Sequence, residues 1–165
     1  MISESFFEKD VETIMVNALK QIPENSRYAK SVRKTIKLFK KYSSYEKAYN
    51  EYFSSNDSTE NFDCYDDAGI VNLSLLYGKG NFEKTLLLTA SYGSDTDCNC
   101  ASVGALLGCI YGANAIPEKW ITPIGDNFTS DLGSCKISEL TKRICKAGRE
   151  CIKFHAGGMH FTTDI

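Results

Sequence analysis

Asp95, Asp97 and Asn99 occupy alternate positions in Gly93-Ser94-Asp95-Thr96-Asp97-Cys98-Asn99, just ahead of an apolar segment rich in Gly and Ala. Two carboxylates crowded this closely repel each other. A bound divalent cation is one way to offset the repulsion, and hard oxygen ligands suit Mg2+ or Ca2+. The other reading is a helix start. Asp is a favoured N-cap, and an acidic neighbour is stabilised by the exposed N–H groups and the positive dipole end. On residue types alone both readings stand.

Other chemistries fail on spacing. Asp95 to Asn99 matches the first five positions of an EF-hand loop. Cys100 then stands where the turn needs Gly, and Leu106 where the bidentate Glu belongs. Gly78-Lys79-Gly80 lacks the upstream Gly and the following Ser or Thr of a phosphate-binding loop. There is no Gly-x-Ser-x-Gly elbow, and neither His155 nor His160 has an obvious nucleophile beside it in sequence. Cys98, Cys100, Cys145, Cys151, His155 and His160 fit no standard zinc spacing. Cys98, near a helix N-terminus, is either a reactive thiol or a packed small side chain, and the packed reading is the default.

The bulk composition narrows the partners. With 165 residues, 42% hydrophobic and 24% charged, the chain has the size and make-up of one globular domain. A formal charge of −2 supplies no basic field for nucleic acid. Seven cysteines without a regular framework, and no signal peptide, point to reduced thiols in a cytoplasmic protein. The most apolar run, Ala101 to Ile116, falls short of the roughly 20 residues that span a bilayer, so a buried core helix is expected and no membrane.

The elements that must position the acidic loop read as helices. Ser5 to Ile22 carries Phe7, Val11, Ile14, Met15, Ala18, Leu19 and Ile22 at helical spacing, with Ser5 and Glu8 as a capping box and Pro23 as the stop. Arg27 to Lys41 turns Tyr28, Val32, Ile36 and Phe39 inward, and leaves Arg33, Lys34, Lys37, Lys40 and Lys41 as a solvated face rather than a phosphate patch. Tyr45 to Phe53 presents an aromatic stripe to the core. Ser54 to Asn61 reads as an exposed loop.

Asp66-Asp67 reads as the start of a helix containing Ile70, Val71, Leu73, Leu76 and Tyr77 and ending at Gly78. Asn81 caps the next, whose apolar sector is Phe82, Leu86, Leu87 and Ala90. The central helix, Asn99 to Tyr111, carries Gly104 and Gly108, with Gly112 continuing the stripe. Each glycine within a helix costs about 1 kcal/mol relative to Ala, so close approach of another helix or of a ligand is expected there, with helix packing as the default. Ile116 to Trp120 forms a turn and a short helix. Ile137 to Phe154 is amphipathic, with Leu140, Ile144, Ala147, Cys151 and Phe154 inward, and His155 to His160 is a flexible end. No strand pattern competes, so the chain is expected to be all-α, a single domain over 1–165.

Together, Gly93 to Asn99, the helix with Gly104 and Gly108, and Ile116-Pro117-Glu118-Lys119-Trp120 resemble the ADP-ribosylglycohydrolase family. The resemblance extends through Ala68-Gly69-Ile70-Val71, Leu75-Leu76-Tyr77-Gly78-Lys79-Gly80, Asn81-Phe82-Glu83-Lys84 and Ile22-Pro23-Glu24-Asn25-Ser26, most of residues 8–122. It implies a compact, all-α orthogonal bundle and a hydrolase that uses a pair of Mg2+ ions to cleave ADP-ribose from an acceptor, the substrate being ADP-ribosylated or ADP-ribose itself. Asp95 and Asp97 match the family's metal carboxylates, and Gly93 and Ser94 the substrate-side approach. Cys98 stands where many members have a metal-binding Thr and is a further candidate ligand.

The family's N-terminal motif, a Thr followed by two Asp, has no match in this sequence. The resemblance therefore implies the C-terminal portion of such an enzyme, incomplete at its N-terminal side. A homodimer or an N-terminal partner chain would complete it. No catalytic residue is assigned. The alternative is a non-catalytic binding or assembly module on the same fold.

Overall fold

The computed structural model describes residues 1–54, 64–130 and 133–155. The exposed loop expected up to Asn61 and the flexible end expected up to His160 lie, from 55 and from 156 respectively, outside the described residues. The described chain forms two compact units, one up to Pro117 and one from Glu118 onward.

Among its described residues the first unit holds only helices: α1 (Ile2–Ser5), α2 (Val11–Leu19), α3 (Arg27–Lys41), α4 (Tyr45–Ser54), α5 (Cys64–Gly78), α6 (Phe82–Ser91) and α7 (Thr96–Tyr111), then a 3-10 turn at Ala113–Ala115. Helix α5 is its axis. Its residues are buried almost continuously from Ala68 to Gly78, as expected of a helix enclosed on all sides. Leu75 and Leu76 enter one core with Val11, Ile14 and Met15 of α2, Val32 and Ile36 of α3, and Val103, Leu106, Leu107 and Ile110 of α7. Leu73 and Tyr77 enter a second core with Leu38, Tyr45, Ala48 and Tyr52. One helix thus carries both cores, and its N-terminal end is fixed by what surrounds it.

Caps set the helix boundaries. Ser26 Oγ accepts from the Ala29 N–H at 3.2 Å and starts α3, and Asn81 Oδ1 accepts from the Lys84 N–H at 2.8 Å and starts α6. Several basic residues of α3 have local partners. Lys40 pairs with Glu12, Lys41 with Glu51, and Lys34 donates to the Tyr52 carbonyl. These pairings agree with an ordinary helix face rather than a phosphate site.

Several local expectations are corrected. The first long helix begins at Val11 and not at Ser5, because Asp10 Oδ1 accepts from both the Thr13 N–H (2.8 Å) and its hydroxyl (2.7 Å). Ser5 instead ends α1 and donates to the Ile2 carbonyl, while Glu8 accepts from the N–H groups of Lys9 and Asp10, so no capping box forms. Phe7 lies between the two helices and is 91% exposed.

The buried face of α6 is centred on Thr85 and Thr89, with Leu87 and Ala90 exposed. Thr85 Oγ1 donates to the Asn81 carbonyl and Thr89 Oγ1 to that of Thr85, so both hydroxyls are satisfied and can be enclosed. Gly78 makes room for them: a Cβ there would overlap the Thr85 side chain.

The glycine stripe of α7 is not a close-packed seam. Among the described residues, a Cβ on Gly104 or Gly108 meets nothing within 4 Å. Gly112 ends the helix with φ of 79° and likewise faces open space.

The second unit holds α8 (Glu118–Ile121), the antiparallel pair β1 (Asn127–Ser130) and β2 (Gly133–Lys136), and α9 (Ile137–His155). Among the described residues this antiparallel pair, with Asn127 opposite Lys136, is the one departure from the expected all-α chain. Asp126 caps α9, accepting from the Ser138 N–H and hydroxyl at 2.7 Å each. Helix α9 has the expected bounds, but its expected inward residues are exposed, Ile144 at 63% and Phe154 at 84%. Among the described residues no helix is long and apolar enough to cross a membrane.

Candidate metal centre

The acidic loop is a tight reversal between α6 and α7. Gly93 (φ 76°) and Ser94 (φ 60°) are consecutive left-handed residues, which turns the chain back within two positions. Gly adopts this conformation without penalty, whereas for Ser it costs on the order of 1 kcal/mol or more. The cost is met locally. Ser94 Oγ donates to Asp67 Oδ1 at 3.0 Å, and the Ser94 carbonyl accepts from the Thr96 N–H at 2.9 Å. The residue ahead is also held, since Tyr49 Oη donates to the Tyr92 carbonyl at 3.2 Å.

Asp95 then stands at the N-cap position of α7. Its carbonyl accepts from the Asn99 N–H at 2.9 Å, yet its side chain makes no capping hydrogen bond. The helix-start reading therefore accounts for where Asp95 lies but leaves its carboxylate without the usual capping task. Asp95, Asp97 and Cys98 each bring one ligand atom within 4.8 Å of the others. Asp95 is half-buried, and Asp97 and Cys98 are exposed. Among the described residues this is the one cluster of three or more His, Cys, Asp or Glu side chains that could hold an ion.

The electrostatics are those of crowded anions at a helix N-terminus. Hydrogen bonding with Asp95, then the N–H groups of Asp97 and Cys98, hold the Asp97 carboxyl below its ordinary value. The Cys98 thiol is pushed up, first by its hydrogen bond to Asp95 and that residue's charge, then by burial and by the charges of Asp97 and Asp67. Two carboxylates with oxygen donors suit a hard divalent cation. The sulfur of Cys98 is a poor ligand for Mg2+ and a good one for softer metals.

Two residues join the site that sequence reasoning did not assign to it. Asp67 lies in the first turn of α5, as the helix-start reading had it, and also accepts the Ser94 hydroxyl. Asn99, only 3% exposed, donates Nδ2–H to the same Asp67 Oδ1 at 2.9 Å. The one available signal was Asn99 itself, an amide in alternation with the two carboxylates at the start of a helix. Such an amide needs a buried partner, but nothing in the spacing says that the partner lies 32 residues upstream.

The ADP-ribosylglycohydrolase family matches residues 1–152, and the chain belongs to that family. No curated protein and no solved structure shows a significant match. Membership implies, at that coarse level, a metal-dependent hydrolase acting on ADP-ribosylated substrates, in keeping with the helical fold.

Proposed function

We propose that this chain is an ADP-ribosylglycohydrolase-like hydrolase whose Asp95 and Asp97 carboxylates hold Mg2+. The observation that carries the reading is the position of Asp95: a helix-start carboxylate with no capping bond, grouped with Asp97 in a chain of this family. Bound there, a divalent cation supplies Lewis acidity towards water and the ribose hydroxyls. The chain's own part is to gather and orient the negative charge that holds it. In the overall reaction the glycosidic bond between ADP-ribose and its acceptor breaks, a water oxygen bonds to the ribose carbon, and the acceptor leaves with a proton.

Gly93 and Ser94 border the approach to the carboxylates. Among the described residues a Cβ on Gly93 meets nothing within 4 Å, which leaves the main chain there open to a substrate. Ser94 reaches Asp67 through its hydroxyl and offers its backbone rather than its side chain. Cys98 is a bystander for Mg2+ and becomes a ligand only for a softer ion. The sequence contains no Thr-Asp-Asp, so Asp95 and Asp97 supply part of a ligand set and the remaining donors come from outside the loop. On its own the chain is expected to bind Mg2+ weakly and to hydrolyse substrate poorly.

Binding of ADP-ribose, measured with and without Mg2+, tests the reading. Wild type is expected to bind in a cation-dependent way that Asp95→Ala abolishes. Equal binding by Asp95→Ala and wild type would instead support the non-catalytic binding module.

A further inference from the structure

We propose that Asp67 is the positioning residue of the acidic loop, holding Asp95 and Asp97 in place through two hydrogen bonds accepted by one oxygen. The inference rests on the reading of those carboxylates as cation ligands. Asp67 Oδ1 takes the Ser94 hydroxyl at 3.0 Å and the Asn99 amide at 2.9 Å. Ser94 immediately precedes Asp95, and Asn99 lies two residues beyond Asp97. The four residues that carry the candidate ligands are therefore bracketed by bonds to a single atom on another helix.

Each bond restrains something that would otherwise relax. Ser94 sits at φ 60°, a region a non-glycine residue leaves readily when nothing holds it. Asn99 is buried, and without Asp67 its Nδ2 would lose the acceptor given to it here, which favours rotation of the side chain or unwinding of the first turn of α7.

Asp67 can anchor because its own helix end is fixed. Tyr52 Oη donates to the Tyr65 carbonyl at 2.8 Å and shares a 2.5 Å hydrogen bond with Ser31 Oγ. The Tyr52 ring also fills the space beside Gly69. A path of contacts thus runs from the buried Tyr52 ring through α5 to the loop.

An acceptor role differs from a charge role. Asn at position 67 keeps an oxygen with two lone pairs and loses the negative charge. The test uses the full chain with Asp67→Ala and Asp67→Asn, reading two quantities: amide hydrogen exchange at residues 94–99 without metal, and Mn2+ affinity by electron paramagnetic resonance. Asp67→Ala is expected to raise exchange and to weaken Mn2+ binding by about tenfold each, the size of one buried hydrogen bond. Asp67→Asn is expected to stay within about threefold of wild type in both, as the retained acceptor requires.

Wild-type exchange and affinity in Asp67→Ala would overturn the proposal. So would an Asp67→Asn as impaired as Asp67→Ala, since charge rather than positioning would then be what Asp67 contributes. Failure of wild type to bind Mn2+ would overturn the cation reading, and the metal-free exchange comparison would still decide whether Asp67 holds the loop. If Asp67→Ala does not fold, Ser94→Ala removes one of the two bonds. It is expected to raise exchange at 94–96 and weaken Mn2+ binding by about threefold, part of the effect of one hydrogen bond, and wild-type behaviour in that variant would overturn the proposal.

Discussion

The ring of Tyr52 occupies the space that a side chain on Gly69 would need, so α4 and α5 meet at the position where Tyr52 also takes hold of the Tyr65 carbonyl. This contact fixes the end of α5 that faces the acidic loop. Gly69→Ala is expected to push the ring aside, breaking its bonds to Tyr65 and Ser31, at a cost of about 1–3 kcal/mol for overpacking. Thermal denaturation should show the loss as a fall of several degrees. An unchanged midpoint would mean that the ring moves freely.

The glycines of α7 should behave in the opposite way. Among the described residues nothing lies within 4 Å of where a Cβ on Gly104 or Gly108 would stand. Replacing either with Ala is expected to leave stability unchanged or to raise it by up to about 1 kcal/mol, the helix-propensity difference. A lowered melting temperature in Gly104→Ala would show that something covers this face in solution.

Asp10 should show its cap in both size and pH dependence. Asp10→Ala is expected to cost about 1 kcal/mol at neutral pH, as for other N-caps. Hydrogen bonds from Thr13 depress the folded-state pKa of Asp10 below its ordinary 3.8. The cap therefore contributes fully above the unfolded pKa, and its contribution is lost as pH falls through the depressed value. The gap in melting temperature between wild type and Asp10→Ala should close below that point, and a gap that persists in strong acid would argue against the cap.

Much of the helical plan was legible because its signals are local. Asn81 caps the helix it was expected to cap, and α3 has the expected bounds. The start of α2 was missed because Asp10 competes with Ser5 as a cap, and only the fold shows which side chain reaches a free N–H. The sector of α6 was misjudged because Thr85 and Thr89 return their hydroxyls to the preceding turn and bury as small apolar groups would. The candidate ligands Asp95, Asp97 and Cys98 are neighbours in sequence and could be seen there. Asp67 and Asn99 meet only through tertiary structure. The hairpin from Asn127 to Lys136 has four-residue strands, too short for an alternating pattern to stand out.

Cys98 reports on the charges around it. Its thiol is raised above the ordinary 9.0, chiefly by hydrogen bonding to Asp95 and by that residue's charge. Alkylation at Cys98, followed by peptide mass mapping in metal-free buffer, is expected to be slow at neutral pH. Asp95→Ala removes the hydrogen-bond acceptor and the anion, lowers the thiol pKa, increases the thiolate fraction and should speed the reaction. No acceleration would mean that Asp95 and Cys98 do not interact as described.

The most direct measurement is a calorimetric titration of Mg2+ into wild type, Asp95→Ala and Asp97→Ala under identical conditions. Wild type is expected to bind saturably, and each variant at least about tenfold more weakly, a loss of roughly 1.4 kcal/mol. Equal Mg2+ affinity in all three proteins, or no binding by wild type, would contradict a cation site built on Asp95 and Asp97.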